Sequence, residues 1–318
     1  MTEEKSVTLR SPQSRDIVYL EYDPSNLPPP SSGYTRFICV SDTHTRQFPV
    51  PDGDILLHSG DLTNTGTVAE FEKTMNWICS LPHKWKIIIA GNHDLPLHAD
   101  WYEMNHSRWS NLGHAKPQDR GRILDLLKGK HAQESNVVYL QDESYTFQAR
   151  EGGRSWSVYG SPWSPEFYNW AFGYTATEGP SLISKFPKSD ILLTHGPPRN
   201  ILDRTNQGDF PGCPTLANTL PRLRPRLHLF GHIHEAHGAH IHPWYKGNVG
   251  NVQNDQVEWN EVMTEQQSDE SSEVNGDKDS VTVFVNAANW PMGQRRREYQ
   301  NFRFGGPGFR PVVIDMLD

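Results

Sequence analysis

Polar residues able to bind a divalent cation recur in this sequence in short, separated groups. They are Asp42 with His44, Asp61 after a glycine, the run Asn92, His93 and Asp94, then His195, and finally the alternating pair His232 and His234. Carboxylate, amide and imidazole donors of this kind suit Mn, Fe or Zn in an aqueous hydrolase. Alternate residues of an extended segment face one side, so His232 and His234 can address a single cluster. Taken one at a time the signals are weak. Asp-x-His and Gly-Asp arise often by chance, and a lone buried histidine is usually a hydrogen-bonded core residue. GNHD (91–94) is more specific, because its glycine permits a tight turn just before three polar side chains.

Each group ends an apolar run: FICVSDTH (37–44), DILLHSGD (54–61), KIIIAGNHD (86–94), DILLTHGPP (190–198) and LHLFGHIHE (227–235). Such runs read as buried strands. With helices expected over 68–80, 120–128 and 216–223, the order is mostly strand then helix, as in layered α/β folds. Open α/β sheets place their ligand crevices at the carboxyl ends of strands, so the groups are expected to meet at one edge. WSVYGSP (156–162) adds a further strand, VTVFVNAANW (281–290) and PVVIDMLD (311–318) close the chain, and DIVYLEYD (16–23) supplies one at its entrance.

Taken together and in this order, the motifs resemble those of the calcineurin-like metallophosphoesterase superfamily: D-x-H, GD, GNH[DE], H and GHxH. They stand here complete as SDTH (41–44), GD (60–61), GNHD (91–94), THG (194–196) and GHIH (231–234). DILLHSGDLT, LLTHGPP and the NAA beginning at Asn286 are most similar to the branch of metallophosphoesterase domain-containing proteins. The resemblance implies an α/β fold, a four-layer α-β-β-α sandwich of two mixed sheets flanked by helices. It also implies an active enzyme with two divalent transition-metal ions, Mn first and Fe or Zn as alternatives, joined by a bridging hydroxide. Asp42, His44, Asp61 and His234 would hold one ion, and Asp61, Asn92, His195 and His232 the other, with Asp61 shared. His93 would contact the phosphate and protonate the leaving oxygen, with Asp94 orienting its ring. So cationic a site takes an anionic phosphoryl guest. The expected partner is a small phosphoester, with phosphodiesters favoured and nucleotides, cyclic ones included, among the candidates. Phosphomonoester hydrolysis is the alternative, and so, in a different class, is a non-catalytic protein-binding scaffold on the same fold.

Several neighbours invite a role but have equally plain structural readings. His58 stands either behind the donors or in the core, and Arg46, Asn64, Trp163 and Arg199 flank the expected crevice. His237, His240 and His242 look like a metal tract but follow the completed motif set, and read as a surface loop.

The chain has 318 residues and a formal charge of −8, and that charge is local. Nine acids and the single base Lys278 lie between Asp255 and Ser280, leaving 29 acids and 29 bases elsewhere, so the body is near neutral. No dense basic run marks a nucleic-acid track. Residues 1–33 read as an N-terminal segment and linker ending in SNLPPPSSG, and 34–318 as one domain interrupted by a disordered acidic insertion over 247–280, to which a protein partner could bind. Cys39, Cys79 and Cys213 fit neither a disulfide framework nor paired zinc thiolates. With no signal-peptide core and no apolar stretch long enough to span a bilayer, a soluble, cytoplasmic protein is expected.

Overall fold

The computed structural model describes residues 6–11, 14–244, 281–298 and 302–318. The acidic insertion expected over 247–280 lies outside the described residues.

The apolar runs form strands buried on both faces. Phe37, Ile38, Cys39 and Val40 are all fully buried, as strands covered on two sides require. A seven-stranded sheet runs in the order Val7–Arg10, Ile17–Glu21, Val312–Leu317, Tyr34–Val40, Ile55–His58, Trp85–Ile89, Val137–Leu140. A six-stranded sheet runs in the order Gly238–Pro243, Val281–Asn286, Leu227–Phe230, Ile191–Thr194, Ser155–Ser161, Glu143–Gln148. Both are mixed. The strands that carry the site motifs are parallel to their neighbours from Tyr34–Val40 to Val137–Leu140, and from Ser155–Ser161 to Val281–Asn286.

Alternation along each strand assigns its residues to separate cores. Phe37, Cys39, Leu57 and Ile89 meet Trp156, Val158, Leu193 and Leu229 between the sheets. Ile38, Val40, Leu56 and Ile88 face outward onto Phe71, Met75 and Ile78 of helix Val68–Ser80 and onto Ile123 and Leu127 of helix Arg120–Lys128. Leu192, Phe230 and Phe284 face the other way, onto Leu216, Leu220 and Leu223 of helix Pro214–Leu223. The result is the expected α-β-β-α sandwich of two mixed sheets.

The histidine-rich tract is not a loop. His240 and His242 lie on the edge strand Gly238–Pro243, antiparallel to Val281–Asn286, and His237 just before it is buried with Nδ1 3.0 Å from the Ala288 carbonyl. Ala239 and Ile241 pack into the core between the sheets, while His240 and His242 alternate to the other side, where His242 lies against Trp244 and Phe284. All three cysteines are free. No helix among the described residues is long and apolar enough to cross a membrane.

Candidate metal centre

The carboxyl ends of five parallel strands converge where the two sheets meet. Tyr34–Val40, Ile55–His58 and Trp85–Ile89 lead into Asp42 and His44, Asp61, and Asn92. Ile191–Thr194 and Leu227–Phe230 lead into His195 and the pair His232 and His234. The backbone turns sharply to do this: Asp42 (φ 53°), His44 (φ 45°), Asp61 (φ 55°) and His232 (φ 66°) all adopt left-handed conformations. Such φ values in non-glycine residues persist only where the surroundings hold them, and they concentrate at functional sites. Two glycines leave the necessary space, since a Cβ on Gly91 would overlap Asp61 and one on Gly231 would overlap the Asp42 carboxylate.

Asp42, His44, Asp61 and His234 bring one potential ligand atom each to within 4.8 Å of one another. His234 Nε2 is 3.1 Å from Asp42 Oδ1 and 3.5 Å from His44 Nε2. On the other side, Asn92 Oδ1 stands 2.8 Å from His195 Nε2 and 2.7 Å from His232 Nδ1. Asp61 lies between the groups, with Oδ2 3.6 Å from His44 Nε2 and Oδ1 3.5 Å from His195 Nε2. Backbone N–H groups brace the carboxylates: His232 donates to Asp42 at 3.1 Å and His93 to Asp61 Oδ1 at 2.8 Å.

The donor chemistry fits a divalent cation. His44 Nδ1 faces the Thr63 carbonyl at 3.2 Å and His195 Nδ1 the Ser59 carbonyl at 2.9 Å. A carbonyl only accepts, so each Nδ1 carries the proton and each Nε2 turns a lone pair inward, the arrangement that metal-binding imidazoles use. The lone pairs of His44 Nε2 and His195 Nε2 face the oxygens of Asp61 and Asn92 at 2.8 to 3.6 Å, where they repel unless a cation lies among them. Burial, then the charge of His93, holds His44 well below the usual imidazole range, and burial with His195 pushes His232 down to about 3, so both rings are neutral as ligation requires. Burial opposes the charge of Asp42, but the hydrogen bond from His234 and the charge of that ring outweigh it and hold the carboxyl well below the carboxylate range.

His93 and Asp94 lie beside these donors but make no hydrogen bond to each other; the His93 ring meets His44 edge-on with centroids 4.6 Å apart. His93 Nδ1 is 2.6 Å from the Asn64 carbonyl, and its ring stacks on Trp170 with centroids 4.2 Å apart. Asp94 does not orient that ring. Its oxygens accept from the N–H groups of Gly91 (2.9 Å), Leu62 (3.1 Å) and Thr63 (3.0 Å) and from Thr63 Oγ1 (2.7 Å). The carboxylate therefore ties the Asp61 turn to the Asn92 turn. Burial, then the charge of Asp61, pushes it up to about 7.

The flanking residues resolve as packing or bracing. Gly60 N–H donates to His58 Nδ1 at 3.2 Å while Nε2 meets Thr43 Oγ1 at 2.9 Å, so this buried ring holds the turns on either side of the donors and touches none of them. The Asn64 amide turns away to Glu70, Arg46 lies over Phe304, and Trp163 bonds Asp142. Arg199 is exposed, and its backbone N–H donates to Cys213. Aromatic rings that sequence reasoning did not pick out stand closer. Trp290 is edge-on to His44 at 4.8 Å, Trp170 covers His93, and Phe167 approaches His232 at 6.3 Å. Only Trp290 had a signal in the sequence, standing four residues after Asn286.

Comparison with known proteins bears on the same residues. The model of the family described as calcineurin-like phosphoesterase matches residues 35–236. Metallophosphoesterase domain-containing protein 1 of Homo sapiens and its Mus musculus counterpart are each 41% identical over 228 residues, covering 68% of this chain and 65% of the relative. The chain thus spans just under two thirds of the length of these relatives. A UPF0046 protein of Caenorhabditis elegans is 36% identical over 218 residues, covering 64% of this chain and 70% of its own. The family match takes in every donor group from Asp42 to His234, and the chain belongs to the calcineurin-like phosphoesterase family.

Proposed function

We propose that this chain hydrolyses a phosphodiester at a centre of two divalent transition-metal ions, Mn first with Fe or Zn as alternatives, and that its substrate is a small nucleotide, cyclic nucleotides included. The observation that carries the reading is the position of Asp61, whose two oxygens face His44 Nε2 at 3.6 Å and His195 Nε2 at 3.5 Å. Ligands around one first-row cation stand roughly 3 to 3.5 Å apart, so a carboxylate facing both ways supports two adjacent ions sharing it. Asp42, His44, Asp61 and His234 would hold one, and Asp61, Asn92, His195 and His232 the other. When bound, such a pair supplies a water acidic enough to attack near neutral pH and positive charge for the phosphoryl oxygens.

The chain's own residues do the rest. The Thr63 and Ser59 carbonyls fix the tautomers of His44 and His195. The Asn64 carbonyl and Trp170 grip His93, leaving Nε2 to pass a proton to the leaving oxygen. The rings around the donors are aromatic, which suits the second organic group of a diester.

Elemental analysis combined with assays on bis(p-nitrophenyl) phosphate and p-nitrophenyl phosphate tests the proposal. Wild type should carry two ions and cleave the diester faster, and Asp61→Asn should lose both ions together with activity. A single ion overturns the shared carboxylate, faster monoester cleavage overturns the diester, and a metal-free protein inert after Mn²⁺ addition returns the scaffold reading.

A further inference from the structure

We propose that Phe167 and Tyr168 form an aromatic corner that receives the planar ring of the substrate's organic ester group, a nucleobase or an aryl group, beside the donor cluster. The inference rests on the phosphoester reading above and adds the residues that choose among esters.

Both rings are displayed to solvent, Phe167 at 55% and Tyr168 at 78% exposure, where apolar surface is normally withdrawn. They stand perpendicular, with centroids 4.5 Å apart and planes at 74°. Phe167 is in turn edge-on to His232, at 6.3 Å and 89°. A planar ring entering this corner can stack on one face and present its edge to the other, the two arrangements the aromatic quadrupole favours. An alkyl group gains area there but neither geometry.

The display is enforced. Tyr168 (φ 47°), Asn169 (φ 50°) and Phe172 (φ 55°) all hold left-handed conformations that bulky residues avoid. Arg108 fixes them by donating to the carbonyls of Asn169 (2.6 Å) and Tyr168 (3.1 Å), Trp101 Nε1 donates to Asn169 Oδ1 (2.9 Å), and Phe172 N–H donates to His98 Nδ1 (2.8 Å). The same loop places Trp170 on His93 at 4.2 Å, so the corner and the ring that passes the proton are held at a set spacing. A ligand ring in the corner therefore keeps its phosphate among the donors.

The test measures calorimetric binding of phenylphosphonate and methylphosphonate to Mn-loaded wild type, to Phe167→Ala and to the double substitution with Tyr168→Ala, with cleavage of phenyl and methyl p-nitrophenyl phosphate followed in parallel. Wild type should bind phenylphosphonate roughly five- to tenfold more tightly, and the substitutions should bring the ratio toward one. Equal binding of the two phosphonates by wild type, or a phenyl preference that survives both substitutions, overturns the corner. If neither ester is cleaved yet phenylphosphonate binds more tightly and Phe167→Ala removes the difference, the hydrolytic reading falls and the corner stands. If neither phosphonate binds, both fall.

Discussion

His93 is held from two sides without help from the carboxylate beside it in sequence. The Asn64 carbonyl takes Nδ1, Trp170 covers the face, and Asp94 is committed to the N–H groups of Gly91, Leu62 and Thr63. The His93 backbone N–H still donates to Asp61 at 2.8 Å. Replacing His93 by Ala therefore removes the ring and keeps that bond. Diester turnover should fall by about 10² to 10⁴ while the metal content measured by elemental analysis stays at the wild-type value. Loss of metal in step with turnover would place His93 among the donors instead. The grouping of Asp42, His44, Asp61 and His234 was legible in sequence because it is made of side chains of distinctive type at strand ends. Thr63 and Ser59 were not, and Asn64 stood out only as a side chain at the crevice, because each acts through a backbone carbonyl that residue type does not encode. Trp170 and Phe167 come from a loop without a period to read.

At the scale of elements, helix Val68–Ser80 reaches the site through its own first turn. Thr67 and Glu70 form a capping box, the Thr67 side chain accepting from Glu70 N–H and Glu70 Oε2 accepting from Thr67 N–H at 3.0 Å. Glu70 does more than cap: Oε1 accepts from the Asn64 amide at 2.9 Å and from Asn64 N–H at 3.2 Å, and Oε2 takes Thr65 N–H at 3.3 Å. It thereby shapes the loop whose Asn64 carbonyl holds His93. Glu70→Ala should cost about 1 to 2 kcal/mol in denaturant unfolding. It should also lower kcat more than it raises KM, because His93 loses its seat while the donors keep theirs. Glu70→Gln retains one accepting oxygen and should recover part of both losses. An alanine variant with the stability loss but unchanged kcat would make the box purely structural. The long apolar strands and the helices over 68–80 and 120–128 were readable from period. Glu143–Gln148 and Gly238–Pro243 were not read as strands: both are short sheet edges with few apolar residues, and in the second the alternation of Ala239 and Ile241 with His240 and His242 was outweighed by its histidine content.

On the scale of the whole molecule, the centre exists only because the two sheets present their carboxyl ends together. Asp42, Asp61 and Asn92 follow strands of the seven-stranded sheet, and His195, His232 and His234 follow strands of the six-stranded one. A parallel bridge from Ser41 to Ala288 joins the sheets beside the donors, with Asn289 N–H donating to the Ser41 carbonyl at 2.9 Å. Strand Leu227–Phe230 also carries the fully buried His228, whose Nε2 is 2.9 Å from Thr194 Oγ1, and the Thr194 hydroxyl donates to the Gly196 carbonyl at 2.8 Å. Nε2 is then the protonated nitrogen, and a second proton would have to enter a buried Nδ1 that has no hydrogen-bond partner. Burial pushes this imidazole down to about 3. The unfolded chain, with its imidazole near the ordinary ~6.5, takes up the proton first as pH falls. The contribution of His228 is complete above about pH 6.5 and is lost as pH drops through that value toward 3, at about 1.4 kcal/mol per pH unit. His228→Leu removes that proton from the linkage. The variant should be less stable at neutral pH, because Thr194 loses a donor, yet its unfolding free energy should decline less steeply between about pH 6 and 4. Urea unfolding at fixed pH points measures both quantities. His58, also pushed down to about 3 by burial, is present in both proteins and cancels in the difference. Parallel curves for the two proteins would mean that His228 takes up its proton without unfolding the sheet.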